Sequence, residues 1–150
     1  MQLGKRNALL AIAVGGLIAG ALDITQAIIL FGKKVPLLIA GGLLGRGAFH
    51  GGAGTYALGL FLHFFIAMSV ATIYYVASRR LKFLMEHWIV CGLFYGAAVD
   101  QVMTLIVLPL SGLHAAGPYK LHDLILGIIV HGIVIGLPIS FSVRRFTPQN

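Results

Sequence analysis

Charged side chains are scarce in this sequence. Only 10% of its 150 residues are charged, whereas 59% are hydrophobic. A soluble domain carries roughly 25% charged residues, so this chain cannot cover a surface that faces water. Lipid must therefore cover much of it, and the length suits one small domain over residues 1–150.

Cysteine and catalytic motifs are almost absent. Cys91 is the only cysteine, which excludes an internal disulfide and a thiolate metal cluster. The sequence has no nucleophile elbow, phosphate loop or CxxC motif. We therefore expect a protein that is not an enzyme.

Acidic residues are few, four against eleven basic ones, and the net charge is +7. The basic residues form short clusters at the ends of apolar runs, which is typical of the positive-inside pattern and of contact with anionic headgroups. This distribution excludes a nucleic-acid-binding face. The clusters are Lys5-Arg6, Lys33-Lys34, Arg79-Arg80-Lys82 and Arg144-Arg145.

Four apolar runs are long enough to cross a bilayer, which takes about 20 helical residues. The first imitates a secretory signal, but it continues past Asp23 to Phe31, which is too long for one. The prediction is an all-α integral membrane protein, a four-helix bundle. Its spans are residues 8–31, 55–77, 88–108 and 121–143.

Alternating these spans places seven basic residues on the side of the termini and four on the other. The excess predicts that both termini are cytoplasmic. We call the first side the terminal face and the second the loop face. The loop face carries Lys33, Lys34, Arg46 and Lys120.

The connection over residues 35–54 is unusually apolar. Pro36 can open a short helix through Leu44, which either lies on the membrane or re-enters it. The glycines from Gly47 to Gly54 predict a flexible link after this helix.

Two pairs of spans resemble each other, which predicts a parallel repeat of one helix pair. Each odd span carries two glycines and then an aspartate, and each even span carries a glycine four residues before a histidine. The members are Gly16, Gly20 and Asp23; Gly59 and His63; Gly92, Gly96 and Asp100; and Gly127 and His131. Residues three and four apart share a helix face, so the glycines are predicted to mark the packing faces.

The two aspartates and two histidines fall at one depth. At 1.5 Å per residue each lies roughly 12–15 Å from the loop-face end of its span, so Asp23, His63, Asp100 and His131 are expected to meet inside the bundle. Supporting polar partners are expected among Thr25, Gln26, Gln101 and Thr104.

Three interpretations of this polar layer stay open. The groups can be interhelical hydrogen-bonding contacts that hold the bundle together. They can form a pathway for protons or a site for a divalent cation such as zinc or manganese. Finally, His63 and His131 can ligate one haem b. The most economical expectation is that no cofactor is bound.

The last loop carries residues of the types that form a catalytic triad. Ser111, His114, His122 and Asp123 lie close together in sequence, but such spacing on a turn is typical of an ordinary polar loop. The His122-Asp123 pair is expected to cap the fourth span.

Several short segments resemble one known group of proteins. They are Gly20–Asp23, Leu62–Ala67, Leu108–Ser111 and His131–Ile139. Together they resemble the small, uncharacterised bacterial inner-membrane proteins of the YagU-like type. The resemblance implies a multi-pass protein of the bacterial inner membrane and no particular activity.

Taken together, these features predict a non-enzymatic accessory or structural subunit of a membrane assembly. Proton- or divalent-cation-linked transport is the alternative, and haem binding the second alternative. Gly132-x-x-x-Gly136 and Gly47-x-x-x-Gly51 are expected to serve a homo-oligomer or a larger membrane-protein partner.

Overall fold

A computed structural model describes residues 2–147, with side chains from residue 6 onward. This part of the chain is all helical and contains no strand. A short 3-10 helix spans Arg46–His50. The helices are α1 (Gln2–Phe31), α2 (Val35–Leu44), α3 (Ala53–Ser78), α4 (Phe83–Glu86), α5 (Trp88–Leu110) and α6 (Leu121–Phe146).

Helices α1, α3, α5 and α6 are each long and apolar enough to cross a membrane. The predicted four-helix membrane bundle is therefore confirmed. Each predicted span lies within its helix, but several helices run beyond the apolar stretch. The reason is that backbone hydrogen bonds continue until a breaker stops them, whereas hydropathy falls as soon as polar residues begin.

The outside of the bundle is apolar. Large side chains such as Ile29, Phe61 and Phe94 are between 66% and 76% exposed. Soluble monomers rarely expose a continuous apolar surface of this kind. These side chains are suited to contact lipid, which agrees with a multi-pass membrane protein.

Small residues bring α1 against α3. A Cβ on Gly16 would lie 2.6 Å from the Met68 sulfur, and one on Gly20 would lie 2.9 Å from the Phe64 ring. A larger side chain at either glycine would require Met68 or Phe64 to shift. Both glycines therefore have the packing role that their spacing predicts.

A closer approach joins α5 to α6. A Cβ on Gly136 would collide with the Gly92 carbonyl, and one on Gly96 would collide with the carbonyl of His131 and the Cα of Gly132. These contacts are with backbone atoms, which cannot move aside as a flexible side chain can. The α5–α6 contact therefore depends on glycine.

The two helix pairs use corresponding contacts. Gly16 of α1 faces Met68 of α3, and Gly92 of α5 faces Gly136 of α6. Met68 and Gly136 each lie five residues after the histidine of their helix. Gly20 faces Phe64 and Gly96 faces Gly132. Phe64 and Gly132 each lie one residue after the histidine of their helix. This correspondence supports the predicted repeat.

Gly59 departs from that correspondence. Its Cβ position collides with the carbonyl of Pro36 in α2, so this glycine admits the short helix and not a neighbouring span. The short helix predicted from Pro36 is present. The Gly112 N–H donates to the Gly42 carbonyl at 2.7 Å, which ties α2 to the α5–α6 loop.

One expectation about glycine segments was wrong. Gly132 and Gly136 are buried against α5, so they are not available to a partner as predicted. In the segment from Gly47 to Gly54, the 3-10 helix ends at His50, and Gly51 and Gly52 lie outside any helix before α3 begins.

The half of the bundle nearest the terminal face is tightly packed. The rings of Tyr74 and Tyr95 meet edge to face with centroids 4.9 Å apart. The Tyr95 hydroxyl donates to the Val70 carbonyl at 2.7 Å, and that of Tyr74 to the Leu84 carbonyl at 2.9 Å. These contacts fill the space between α3 and α5 in this half of the bundle.

The backbone contact at Gly136 generates a first prediction. Gly136→Ala should lower the free energy of unfolding by about 1–3 kcal/mol, the usual cost of overpacking, because the new methyl group meets the Gly92 backbone. Thermal unfolding in mild detergent measures the effect. The matched control is Gly54→Ala, a helical position with no neighbour within 4 Å. Equal unfolding temperatures for the two variants would contradict the packing role of Gly136.

Candidate functional site

The four ionisable residues of the predicted polar layer come from four different helices. Asp23 lies on α1, His63 on α3, Asp100 on α5 and His131 on α6. Asp100 is buried and the other three are partly buried. Three of them, the two aspartates and His131, form one continuous polar contact.

His131 is held from one side. Its Nδ1 lies 2.9 Å from the Gly127 carbonyl oxygen and 3.1 Å from Oδ1 of Asp100. Both neighbours are acceptors, so Nδ1 carries a hydrogen and donates it. The partner of one ring nitrogen sets the state of the other, which makes Nε2 the nitrogen that can gain or lose a proton.

Asp100 is itself held in place. Its Oδ2 accepts a hydrogen bond of 2.8 Å from Nε2 of Gln101. A Cβ on Gly127 would lie 2.6 Å from Oδ1 of Asp100, so this glycine makes room for the carboxylate to reach His131. Asp100 thus orients the imidazole.

Asp23 is held much more loosely. Its Oδ1 lies 3.7 Å from Nε2 of His131, which is beyond ordinary hydrogen-bond distance. Within residues 2–147 no hydrogen bond to the Asp23 carboxylate is present. Asp23 is therefore the member of the contact whose partner can be exchanged.

His63 stands apart from the two carboxylates. Its Nε2–H donates to the Gly20 carbonyl at 2.8 Å, so the ring is bonded to the backbone of α1. It nevertheless lines the same cavity as Asp23 and His131. The polar layer is thus a contact of three residues with His63 beside it.

The supporting polar residues have different positions. Gln101 bonds Asp100 as described, and Thr104 and Gln26 line a cavity next to it. The Gln26 Oε1 is buried without a partner among the described residues. Thr25 is exposed and donates to the Ala21 carbonyl of its own helix, so its expected role in the layer is not seen.

Two cavities meet at His131. The first, which we call the apolar cavity, has a volume of about 260 Å³. Its polar side chains are Asp23, His63 and His131, and aliphatic and aromatic residues of α1, α2, α3, α5 and α6 form the rest of its wall.

The second, which we call the acidic cavity, has a volume of about 550 Å³. It extends from Asp100 to Tyr119 and Asp123 near the loop face. His131 lines both cavities. The imidazole therefore has Asp100 and the acidic cavity on one side and Asp23 and the apolar cavity on the other.

Asp123 is a site residue that sequence analysis missed. It was interpreted as a helix cap, but α6 begins without a side-chain cap, and the Asp123 carboxylate instead lies 3.3 Å from Nδ1 of His122. A signal was available, because residues 123, 127 and 131 follow at four-residue intervals and share one face of α6. Ser111 bonds the Leu108 carbonyl, as expected of an ordinary turn.

Wide helical turns adjoin the layer on both α5 and α6. The segments Met103–Val107 and Gly132–Gly136 are π-helical, and each is followed two residues later by a proline, Pro109 and Pro138. A proline lacks an N–H and its ring clashes with the carbonyl four residues before it, and a π turn is one way to relieve both. Such turns are frequent at functional sites.

Metal ligation depends on how these side chains are grouped. Within residues 2–147 no three His, Cys, Asp or Glu side chains are grouped so that they could hold a metal ion. Both ring nitrogens of His131 face carboxylates, which is not the environment that an axial haem ligand needs.

Comparison with protein-family models, curated proteins and solved structures finds no match to the chain.

The contact of Asp100 with His131 and Gln101 generates a second prediction. Asp100→Ala should destabilise the protein by about 1–2 kcal/mol, the upper range for interhelical polar contacts in membranes, because Gln101 loses its acceptor and His131 loses the one that comes from α5. Thermal unfolding in detergent measures it, with Thr25→Ala as the control because that hydroxyl bonds only its own helix. A loss no larger than that of the control would show that Asp100 does not hold α5 to α6.

Proposed function

We propose that this protein is a proton-linked carrier of the bacterial inner membrane, in which Asp23 and His131 share one exchangeable proton. The observation that carries the proposal is the unequal support of the two ring nitrogens. Nδ1 of His131 is fixed by two acceptors, whereas Nε2 faces Asp23 at 3.7 Å. One side of the imidazole is thus anchored and the other is free to exchange.

Proton exchange follows from electrostatics at this depth. An unpaired carboxylate or imidazolium inside a membrane is costly, and such groups usually mark proton or ion pathways. A single proton placed between Nε2 and the Asp23 carboxylate gives either a neutral pair or an attracted ion pair. Losing it leaves Asp23 as an unpartnered anion, which a second cation can neutralise.

The acidic cavity extends from the anchored side of His131 towards the loop face. Asp123 at its mouth has a 67% exposed side chain, whereas that of Asp100 at its end is 7% exposed. Both carboxylates attract cations from the loop face, and the second contacts His131 directly. The packed rings of Tyr74 and Tyr95 lie between the layer and the terminal face, where one state of an alternating cycle needs a barrier.

A structural role remains the alternative prediction. The contact between Asp100 and His131 favours it, since it joins α5 to α6 whether or not a proton moves. A purely structural role does not require the loosely held Asp23 or a cavity on each side of His131. It therefore accounts for fewer features of the site. An accessory subunit and a homo-oligomer also stay predictions.

We further propose that the termini lie in the cytoplasm, because seven basic residues belong to the terminal face and four to the loop face. A reporter that is active only in the cytoplasm should be active when fused to the C-terminus. The matched fusion is an insertion after Gly117 in the α5–α6 loop, where the same reporter should be silent. The reverse result would invert the orientation and make the acidic cavity open to the cytoplasm.

Proton binding by the site is tested directly by infrared difference spectroscopy of the purified protein in lipid. When the pH of the sample is varied, the wild-type protein should show coupled changes of a carboxyl and an imidazole group, because the two side chains share one proton. Asp23→Asn should remove the carboxyl change and alter the imidazole one, and His131→Gln should remove the imidazole change.

The control for this experiment is Glu86→Gln, which removes an exposed acid of α4, outside the site. It should leave both changes intact. If neither Asp23 nor His131 exchanges a proton in the wild-type protein at any pH at which it stays folded, the proposed function is wrong.

A further inference from the structure

We infer that the apolar cavity binds a small lipophilic ammonium compound, with Asp23 as its counterion and in exchange for the shared proton. The inference rests on the proposed function, because it names the second cation that the Asp23 carboxylate accepts. It depends on three observations: the hydrogen-bonding character of the polar groups, the composition of the wall and the volume.

The polar atoms of the cavity that remain available to a ligand are all hydrogen-bond acceptors. Asp23 offers a carboxylate without a hydrogen bond among the described residues. His63 uses its Nε2–H on the Gly20 carbonyl, which leaves Nδ1 as an acceptor in the neutral ring. When His131 is neutral, its Nε2 is an acceptor as well because Nδ1 holds the hydrogen. A ligand must therefore bring donors.

Charge points in the same direction. Once the shared proton leaves, the site holds one carboxylate that His131 no longer neutralises. A protonated amine supplies both a positive charge and up to three N–H donors, whereas an anion would face only acceptors. The complementary headgroup is a primary or secondary ammonium.

The rest of the cavity wall is apolar and favours a ligand whose remaining part is apolar as well. It is formed by side chains such as Ile24, Phe31, Ile66 and Met103, which offer no hydrogen bond to a polar ligand. An apolar cavity of about 150 Å³ is enough to bind benzene. A volume of about 260 Å³ therefore accommodates one aromatic ring together with a short alkyl ammonium arm.

This ligand class agrees with the setting of the cavity. Pockets that bind small molecules are mostly apolar, with a few polar groups that fix orientation. A lipophilic amine can also reach the cavity from the membrane as well as from water. The exchange needs no covalent step: the shared proton leaves the Asp23–Nε2 contact, and the ammonium group takes its place beside the Asp23 carboxylate.

The test uses 2-phenylethylamine as the probe and the full-length protein in nanodiscs, with binding measured by calorimetry at pH 8. Binding of the amine is expected, and 3-phenylpropionate, which replaces the ammonium with a carboxylate, should not bind. Benzyltrimethylammonium, which keeps the charge but has no N–H, should bind at least tenfold more weakly. The inference is overturned if the carboxylate compound binds as well as the amine. It is also overturned if the amine shows no binding at concentrations up to about 10 mM.

Two variants locate the site. Asp23→Asn should weaken amine binding at least tenfold, and Ala27→Phe, which fills the cavity wall without changing a charge, should do the same. Glu86→Gln is the control and should bind normally. Unfolding temperatures identify any variant that has lost its fold, and binding that is unchanged in both cavity variants would place the ligand elsewhere and contradict the inference.

Proton release separates this inference from the proposed function. In weakly buffered solution, addition of the amine should release a proton from the wild-type protein and none from Asp23→Asn. Failure of the amine to bind, together with normal infrared titration of Asp23 and His131, would refute the ligand and leave the proton-linked function standing. Binding without titration of either residue would refute the proton link instead.

Discussion

The structure depends on the fact that lipid offers no hydrogen bonds, so each polar group in the bundle needs a partner from the protein. Asp100 meets this requirement fully, through Gln101 and His131. His63 meets it through the Gly20 backbone. Asp23 meets it only partly, at 3.7 Å from His131. The least satisfied group in the layer is thus the one that faces the apolar cavity.

Close helix packing is what brings these groups together. The glycines of α5 and α6 allow backbone contact on the terminal-face side of Asp100 and His131. Gly127 then leaves room for the Asp100 carboxylate itself. The same small residues therefore stabilise the bundle and place an acid beside an imidazole, so that changes to packing and changes to the site cannot be fully separated.

The two halves of the bundle are built differently. Towards the terminal face, paired tyrosines and small buried residues fill the interior. Towards the loop face, α2 and the α5–α6 loop cover two cavities. The wide turns that precede Pro109 and Pro138 lie in the two helices that form the Asp100–His131 contact.

The sequence by itself determined the membrane class, the four spans, the short helix after Pro36 and the common depth of Asp23, His63, Asp100 and His131. These follow from hydropathy and from the fixed rise of a helix, which are local properties of the chain. Helix periodicity also identified the glycines at the packing faces.

Only the tertiary structure decided which groups are partners. That Asp100 anchors His131, that His63 bonds a backbone carbonyl, and that Gly59 admits α2 depend on the rotation of each helix about its axis. Rotation is set by the packing of all the neighbours at once, and a shift of one residue turns a side chain by about 100°. For the same reason, the cavities and the role of Asp123 became visible only when the helices were placed together.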